Sequence, residues 1–276
     1  MKLKHFNWGK VCIIQKVIRS GKRIEIYKIE NYLVRKSIAD ERDKLLKTTK
    51  STDKKEKINT KEKDRNRSLR DAKNNIIRLL KANEDMTTFI TLTFKEESDY
   101  KTSKKYLNNL FTKLRRDYSN LKYLWVLEYG EINGRLHYHM LCNIPISIKL
   151  SSSKEKKSKE HKALENEFAR KYWKYGFVDI RELQQESNTN VALYVSTYIT
   201  KSMENKNLEG YRIYGYSNKT LNKPIIETFY TKKTVEEILK EFEDCKINYA
   251  NTYSIGYTDW KGEHSGIVNY FDLEEN

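Results

Sequence analysis

The chain has 276 residues, 38% hydrophobic and 33% charged, with a net charge of +16 and a mean hydropathy of −0.85. This size suits one large domain or one domain with appendages, and the lack of any run of 18 apolar residues predicts that nothing crosses a membrane. The basic balance favours a polyanionic partner, nucleic acid first, while Cys12, Cys142 and Cys245 are too scattered for a disulfide scaffold or a cysteine-rich zinc site. The start MKLKHFNWGK holds no apolar leader, so a reducing cytoplasm is the expected location.

Charge is uneven along the chain. Residues 1–85 carry 25 Lys and Arg against 12 Asp and Glu, a net of +13. Residues 11–17 and 24–29 read as strands joined near Ser20 and Gly21, a plausible hairpin. From 40 to 67 almost every residue is charged or polar, as in a solvated helix or a linker. Residues 68–83 read as a helix, with Leu69, Ile76, Ile77 and Leu80 at helical spacing. The β-branched run 87–94, TTFITLTF, is a strand. Residues 100–118 form a helix with Tyr106, Leu107, Leu110, Phe111 and Leu114 on its apolar face. Residues 121–129 and 136–143 make a hairpin around Asn133-Gly134. A Lys-rich insertion (149–161), a helix (162–173), a short strand (176–180) and a helix (191–203) follow. The order β-α-β-β-α-β-α predicts an α+β architecture: a central antiparallel sheet flanked by helices. The expected divisions are a basic N-terminal region 1–67, a catalytic domain 68–220, and a C-terminal appendage 221–276. In the appendage, 231–247 reads as a helix, and 249–257 and 266–271 as short strands.

Two features carry chemistry. His137 and His139 alternate on a strand, so both imidazoles leave the same face and can serve one divalent metal. Glu128, on the partner strand, shares a face with Val126 and Gly130 and is the expected third ligand; Glu131, in the turn, is the competing carboxylate. The second feature is the run YVSTYITK over 194–201. On a helix Tyr194, Tyr198 and Lys201 share one face. A phenol is a weak nucleophile near its free pKa of about 10. A metal that polarises a phosphate, with a lysine nearby, would compensate. The set suits transesterification of a DNA phosphodiester.

The ordered motifs Thr91-Leu92-Thr93-Phe94, His137-Tyr138-His139 and Tyr198-Ile199-Thr200-Lys201 resemble those of the HUH endonucleases, and more narrowly the rolling-circle replication initiators of phages and plasmids. The resemblance covers about residues 68–220 and includes Arg212-Ile213-Tyr214-Gly215-Tyr216-Ser217, similar to an Arg-x-x-Gly-x-Ser stretch in relatives. It implies a site-specific single-stranded DNA endonuclease with Mg²⁺ or Mn²⁺ as cofactor. His137, His139 and Glu128 would be ligands, the TLTF strand structural, Tyr198 the first nucleophile, and Tyr194 the second tyrosine of the gene-A-type branch. A 5′-phosphotyrosine and a free 3′-hydroxyl primer would result. Two positions depart from the pattern: Tyr138 stands where relatives carry an aliphatic residue, and Thr197 where they often carry lysine.

The expected partners are single-stranded DNA and an origin hairpin. Candidate contacts are Lys104, Lys105, Lys113, Arg115 and Arg116 on the 100–118 helix, Arg70, Lys73, Arg78 and Lys81 on the helix before it, Arg135 beside the histidines, and Arg212. No GxxxxGK[ST] motif occurs, so a helicase would act in trans. The competing readings are a transposase or conjugative relaxase of the same chemistry, and an inactive origin-binding relative.

Overall fold

The computed structural model describes residues 11–33, 54–130, 134–151, 155–183, 195, 208, 210–259 and 262–276. It has an α+β fold of two antiparallel five-stranded sheets with four helices among the described residues. The chain divides into two compact units, one of residues 1–65 with 224–276 and one of residues 66–223.

In the first unit β1 (Val11–Ser20) and β2 (Arg23–Leu33) form the expected hairpin, its ends pairing at Ser20 and Arg23. From the other end of the chain come β8 (Ile225–Tyr230), the short helix α4 (Val235–Lys240), β9 (Cys245–Asp259) and β10 (Gly262–Glu275). The sheet order is β8-β1-β2-β10-β9. The two flanking regions that the sequence divides into separate segments therefore supply strands to one sheet. Val17, Ile24, Ile26 and Leu273 form its small core with Ile238 of α4.

Two expectations for the C-terminal region need correction. The helix expected over 231–247 is confined to α4, capped by Thr234 and Glu237 in a reciprocal capping box. From Cys245 the chain is already extended, and β9 and β10 are a long hairpin instead of two short strands. Apolar residues at helical spacing in 231–247 yield to cross-strand pairing once β10 is present.

The second unit holds the expected pattern. It contains the C-terminal part of α1 (Lys54–Lys81), then β3 (Thr88–Phe94), α2 (Tyr100–Asp117), β4 (Tyr123–Tyr129), β5 (Leu136–Cys142), α3 (Lys159–Tyr172), β6 (Gly176–Glu182) and β7 (Tyr214–Tyr216). The helix expected from residue 68 begins at Lys54, within the charged stretch. Its buried residues Ile76, Leu79 and Leu80 join the main core. Likewise α3 starts at Lys159, capped by Ser158, so His161 is a fully buried helical residue and not part of a surface insertion.

The sheet order is β6-β3-β5-β4-β7. Helix α2 is capped by Asp99, which accepts from the Thr102 amide, and Arg115 and Arg116 in its last turn oppose the carbonyl end of the helix dipole. Leu107, Leu110, Phe111 and Leu114 are its buried stripe. This stripe packs on one face of the sheet, because Ser103 Oγ lies 2.9 Å from the Tyr138 hydroxyl. The opposite face carries His137 and His139, as alternation along β5 requires. Among the described residues no helix is long and apolar enough to cross a membrane.

Candidate functional site

Cross-strand pairing arranges the histidine face in rows. One row runs Phe177, Thr93, His137, Glu128 across β6, β3, β5 and β4; the next runs Asp179, Thr91, His139, Val126, Tyr214 and reaches β7. A third row, Arg181, Phe89, Leu141, Leu124, Tyr216, is largely apolar. Polar groups thus gather toward the end of the sheet where β4 and β5 approach their turn, with Gly134 there at φ 60°.

The two imidazoles are held alike. Thr93 Oγ1 is 2.9 Å from His137 Nδ1, and Thr91 Oγ1 is 3.2 Å from His139 Nδ1. The rings lie nearly parallel, 13° apart, with centroids separated by 6.5 Å. Phe89 stacks on His139 at 5.7 Å. Glu128, 7% exposed, accepts from Nε2 of His139, 8% exposed, at 2.8 Å. The third sequence candidate therefore meets the histidines as the hairpin register requires. Glu131 lies outside the described residues.

The Nδ1 contacts decide which nitrogen is available for a ligand. A threonine hydroxyl both donates and accepts, so it can satisfy Nδ1 in either tautomer and leave Nε2 to face outward. Gly130 lies under this nitrogen on His137: a Cβ there would fall 2.4 Å from Nε2. Burial, and after it the neighbouring His139, hold the His137 imidazolium below its ordinary range; Glu128 pulls the other way and Arg135 adds to the lowering. A neutral imidazole is the metal-binding form.

In chemistry the donors fit a hard-to-borderline divalent cation: two imidazoles presented by Nε2 and one nearly buried carboxylate. The 2.8 Å between Glu128 Oε2 and His139 Nε2 is close to the roughly 3 Å edge between neighbouring ligands of an octahedral Mg²⁺ site. In the present side-chain conformations the carboxylate is bonded to His139, and among the described residues no three His, Cys, Asp or Glu side chains already enclose one point.

Tyr138, between the histidines, is fully buried on the α2 side. Trp125 and Phe94 meet its ring edge-on, and burial pushes its phenol well above the usual range. It anchors the strand from beneath, with its hydroxyl satisfied by Ser103.

The basic candidates divide. Arg135 stands close enough to His137 to disfavour its protonation. Lys104 and Arg212 face one another on the α2 side. Lys113 donates to the Lys171 carbonyl at 3.2 Å, and Arg115 donates to the Tyr123 hydroxyl. Tyr123 begins β4, about 17 Å of strand away from Glu128, so Lys113, Arg115 and Arg116 lie toward the far end of the sheet. Lys105 is exposed on α2. Tyr194, Tyr198 and Lys201 lie outside the described residues; between the first two, Val195 is helical and buried.

Sequence reasoning missed three participants. Thr91 and Thr93 read only as strand formers, Gly130 only as a face-sharing residue, and Phe177 as part of a short strand. Phe177 is 62% exposed and stands in the row of His137 and Glu128. The pattern Thr-x-Thr opposite His-x-His was the available signal, since pairing register couples the two.

Residues 87–203 match the model of a replication-associated protein family, that of ORF2 and the gene 2 protein. The matched span runs from the start of β3 past the Tyr194–Lys201 run, so it contains every proposed chemical group. It supports a replication initiator of rolling-circle type. No curated protein and no solved structure matches the chain.

Proposed function

We propose that the chain is an HUH-type endonuclease that starts rolling-circle replication by nicking and rejoining single-stranded origin DNA. The Tyr198 hydroxyl loses its proton and attacks the scissile phosphorus. The bond from phosphorus to the 3′ oxygen breaks, that oxygen takes up a proton, and the 5′-phosphate stays on the tyrosine. The free 3′-hydroxyl then primes synthesis. Tyr194 serves as the second nucleophile at termination, and Lys201 faces the charge developing on phosphate. His137, His139 and Glu128 would hold Mg²⁺ or Mn²⁺, which when bound supplies charge withdrawal from the phosphate oxygens. Thr91 and Thr93 fix the imidazoles, and Phe177 offers a face for a base next to the scissile link. Duplex unwinding falls to a helicase acting in trans.

The observation that carries this reading is the paired set Thr91–His139 and Thr93–His137 with Glu128 beside it, inside a span matched by a replication-protein family. The test is incubation with labelled single-stranded DNA from the surrounding replicon and Mn²⁺ or Mg²⁺, followed by detection of a covalent adduct. Tyr198→Phe should abolish the adduct. Loss with Tyr194→Phe alone would reverse the order of nucleophiles, and retained cleavage in His137→Ala would remove the metal assignment. No adduct with any such strand would sink the proposal.

A further inference from the structure

Lys104 is a half-buried cation that has no carboxylate partner among the described residues. Its ammonium rests 3.7 Å from the centre of the Trp125 ring. Trp125 can serve as this floor because Gly215 of β7 lies beneath it: a Cβ at 215 would fall 2.8 Å from the indole. Arg212 stands next to this stack. Its Nε donates to the Tyr214 carbonyl at 2.9 Å, and its own carbonyl accepts from the Tyr100 hydroxyl at 3.0 Å. Tyr100 in turn stacks on Tyr211, with centroids 4.2 Å apart, and Tyr211 is 51% exposed.

A lysine seldom leaves water without a counter-charge, and a like charge beside it adds to the penalty. Burial first, and then Arg212, bring the Lys104 ammonium down to about 8. The acid in this neighbourhood, Asp99, is engaged at the start of α2, where it accepts from the Thr102 amide at 2.9 Å and hydroxyl at 2.6 Å. Tyr129, near Asp99 and Tyr211, is a phenol raised by burial and carries no charge at neutral pH. Positive charge concentrated on an aromatic floor, with its nearest carboxylate turned to a helix cap, suits an anion arriving from solvent.

We propose that Lys104 and Arg212 together clamp one backbone phosphate of a bound single strand, with the exposed Tyr100–Tyr211 stack beside them to receive a base. The proposal rests on the nucleic-acid reading above. Trp125 shares its sheet face with Tyr138, so the clamp is on the opposite face from His137 and His139. A strand held at both places passes over the β7 edge. The clamp then sets which phosphate reaches the histidines.

The experiment titrates Lys104 in the full chain by NMR, from its ε-carbon signal, with inorganic phosphate and with oligothymidylate added in separate series. Oligothymidylate should raise its midpoint by about half a pH unit or more, as an opposite charge nearby favours the ammonium. A response to inorganic phosphate but not to the oligonucleotide would mark a free-phosphate site and overturn the clamp, as would no response to either. Lys104→Met keeps the apolar stem on Trp125. It should weaken oligothymidylate binding about five- to tenfold and flatten the salt dependence by about 1 in slope, with Lys104→Arg restoring both. Unchanged affinity and slope in Lys104→Met would also overturn it. If wild-type chain forms no covalent adduct while Lys104 responds to the oligonucleotide, the clamp stands and the nicking reading falls. If the adduct forms and Lys104 stays silent, the reverse holds.

Discussion

Glu128 and His139, on adjacent strands, are joined by a 2.8 Å hydrogen bond at a site where both are more than nine-tenths buried. A carboxylate so placed either keeps its imidazole partner or shares it with a cation. Glu128→Gln preserves an acceptor for Nε2 and removes the negative charge. Folding stability should change by about 1 kcal/mol or less, while Mn²⁺ affinity, measured by calorimetry, should fall at least tenfold. Equal Mn²⁺ affinity in the two proteins would show that Glu128 is no ligand.

Thr91→Val and Thr93→Val test the hydroxyls behind the imidazoles. Each swap keeps shape and removes the Nδ1 partner. Outer partners of this kind are worth about 10–100-fold in metal affinity. Paramagnetic Mn²⁺ titration should show a loss of that size for each variant and a larger one for the pair. Thermal unfolding should report only about 1 kcal/mol each.

Gly130→Ala should disturb the site without touching any donor. The new methyl would fall 2.4 Å from His137 Nε2, so the ring must turn away. The His137 imidazole signals should shift in NMR spectra, and the adduct yield should fall about as far as in His137→Ala. Wild-type yield from this variant would mean that His137 has room to relocate without loss.

Phe177→Ala removes an aromatic face that contributes little to the core, since 62% of the residue is exposed. Base stacking on such a face is worth about 1–3 kcal/mol. Affinity for oligothymidylate should therefore drop about fivefold or more, with the melting temperature unchanged. Phe177→Trp should keep or improve it, and identical binding by all three proteins would exclude a stacking role.

Acid should weaken the region around β6 in a predictable window. Burial tends to raise the Asp179 carboxyl, but hydrogen bonds from Arg181 and Lys157 outweigh it and hold the group below its ordinary value of 3.8. A depressed carboxyl contributes stability above the unfolded value, and this is lost as pH falls through the folded one. Unfolding by urea should thus show Asp179→Asn costing about 1 kcal/mol at pH 7, since the pair is half solvated, and almost nothing below about pH 3. A mutational cost independent of pH would assign the residue a packing role instead.

Much of this was legible in residue order. Alternation in 136–142 fixed the face of both histidines, and the Asn133-Gly134 turn set Glu128 opposite His137. Helix α2 followed from its apolar stripe and from Asp99 at its start. Other elements depend on partners far along the chain. The edge strand β7 is three residues long and exists through its bonds to β4. The strand character of 245–247 depends on β10, and the burial of His161 on its bond to the Ile180 carbonyl at 2.9 Å. Phe177 could be read as a strand residue, but its exposure beside His137 required the sheet order.

The pairing of β2 with β10 has a temporal meaning. Ile24 meets Leu273, and Arg23 binds Asp272 at 2.8 Å, across almost the whole length of the polypeptide. During synthesis the span 66–223 can leave the ribosome complete while the β1–β2 hairpin still awaits the last strands. A hairpin alone is marginal in water. The unit that holds the histidines can therefore mature first, and the terminal unit closes only when translation ends. A chain released early would carry the proposed catalytic groups without a finished terminal sheet.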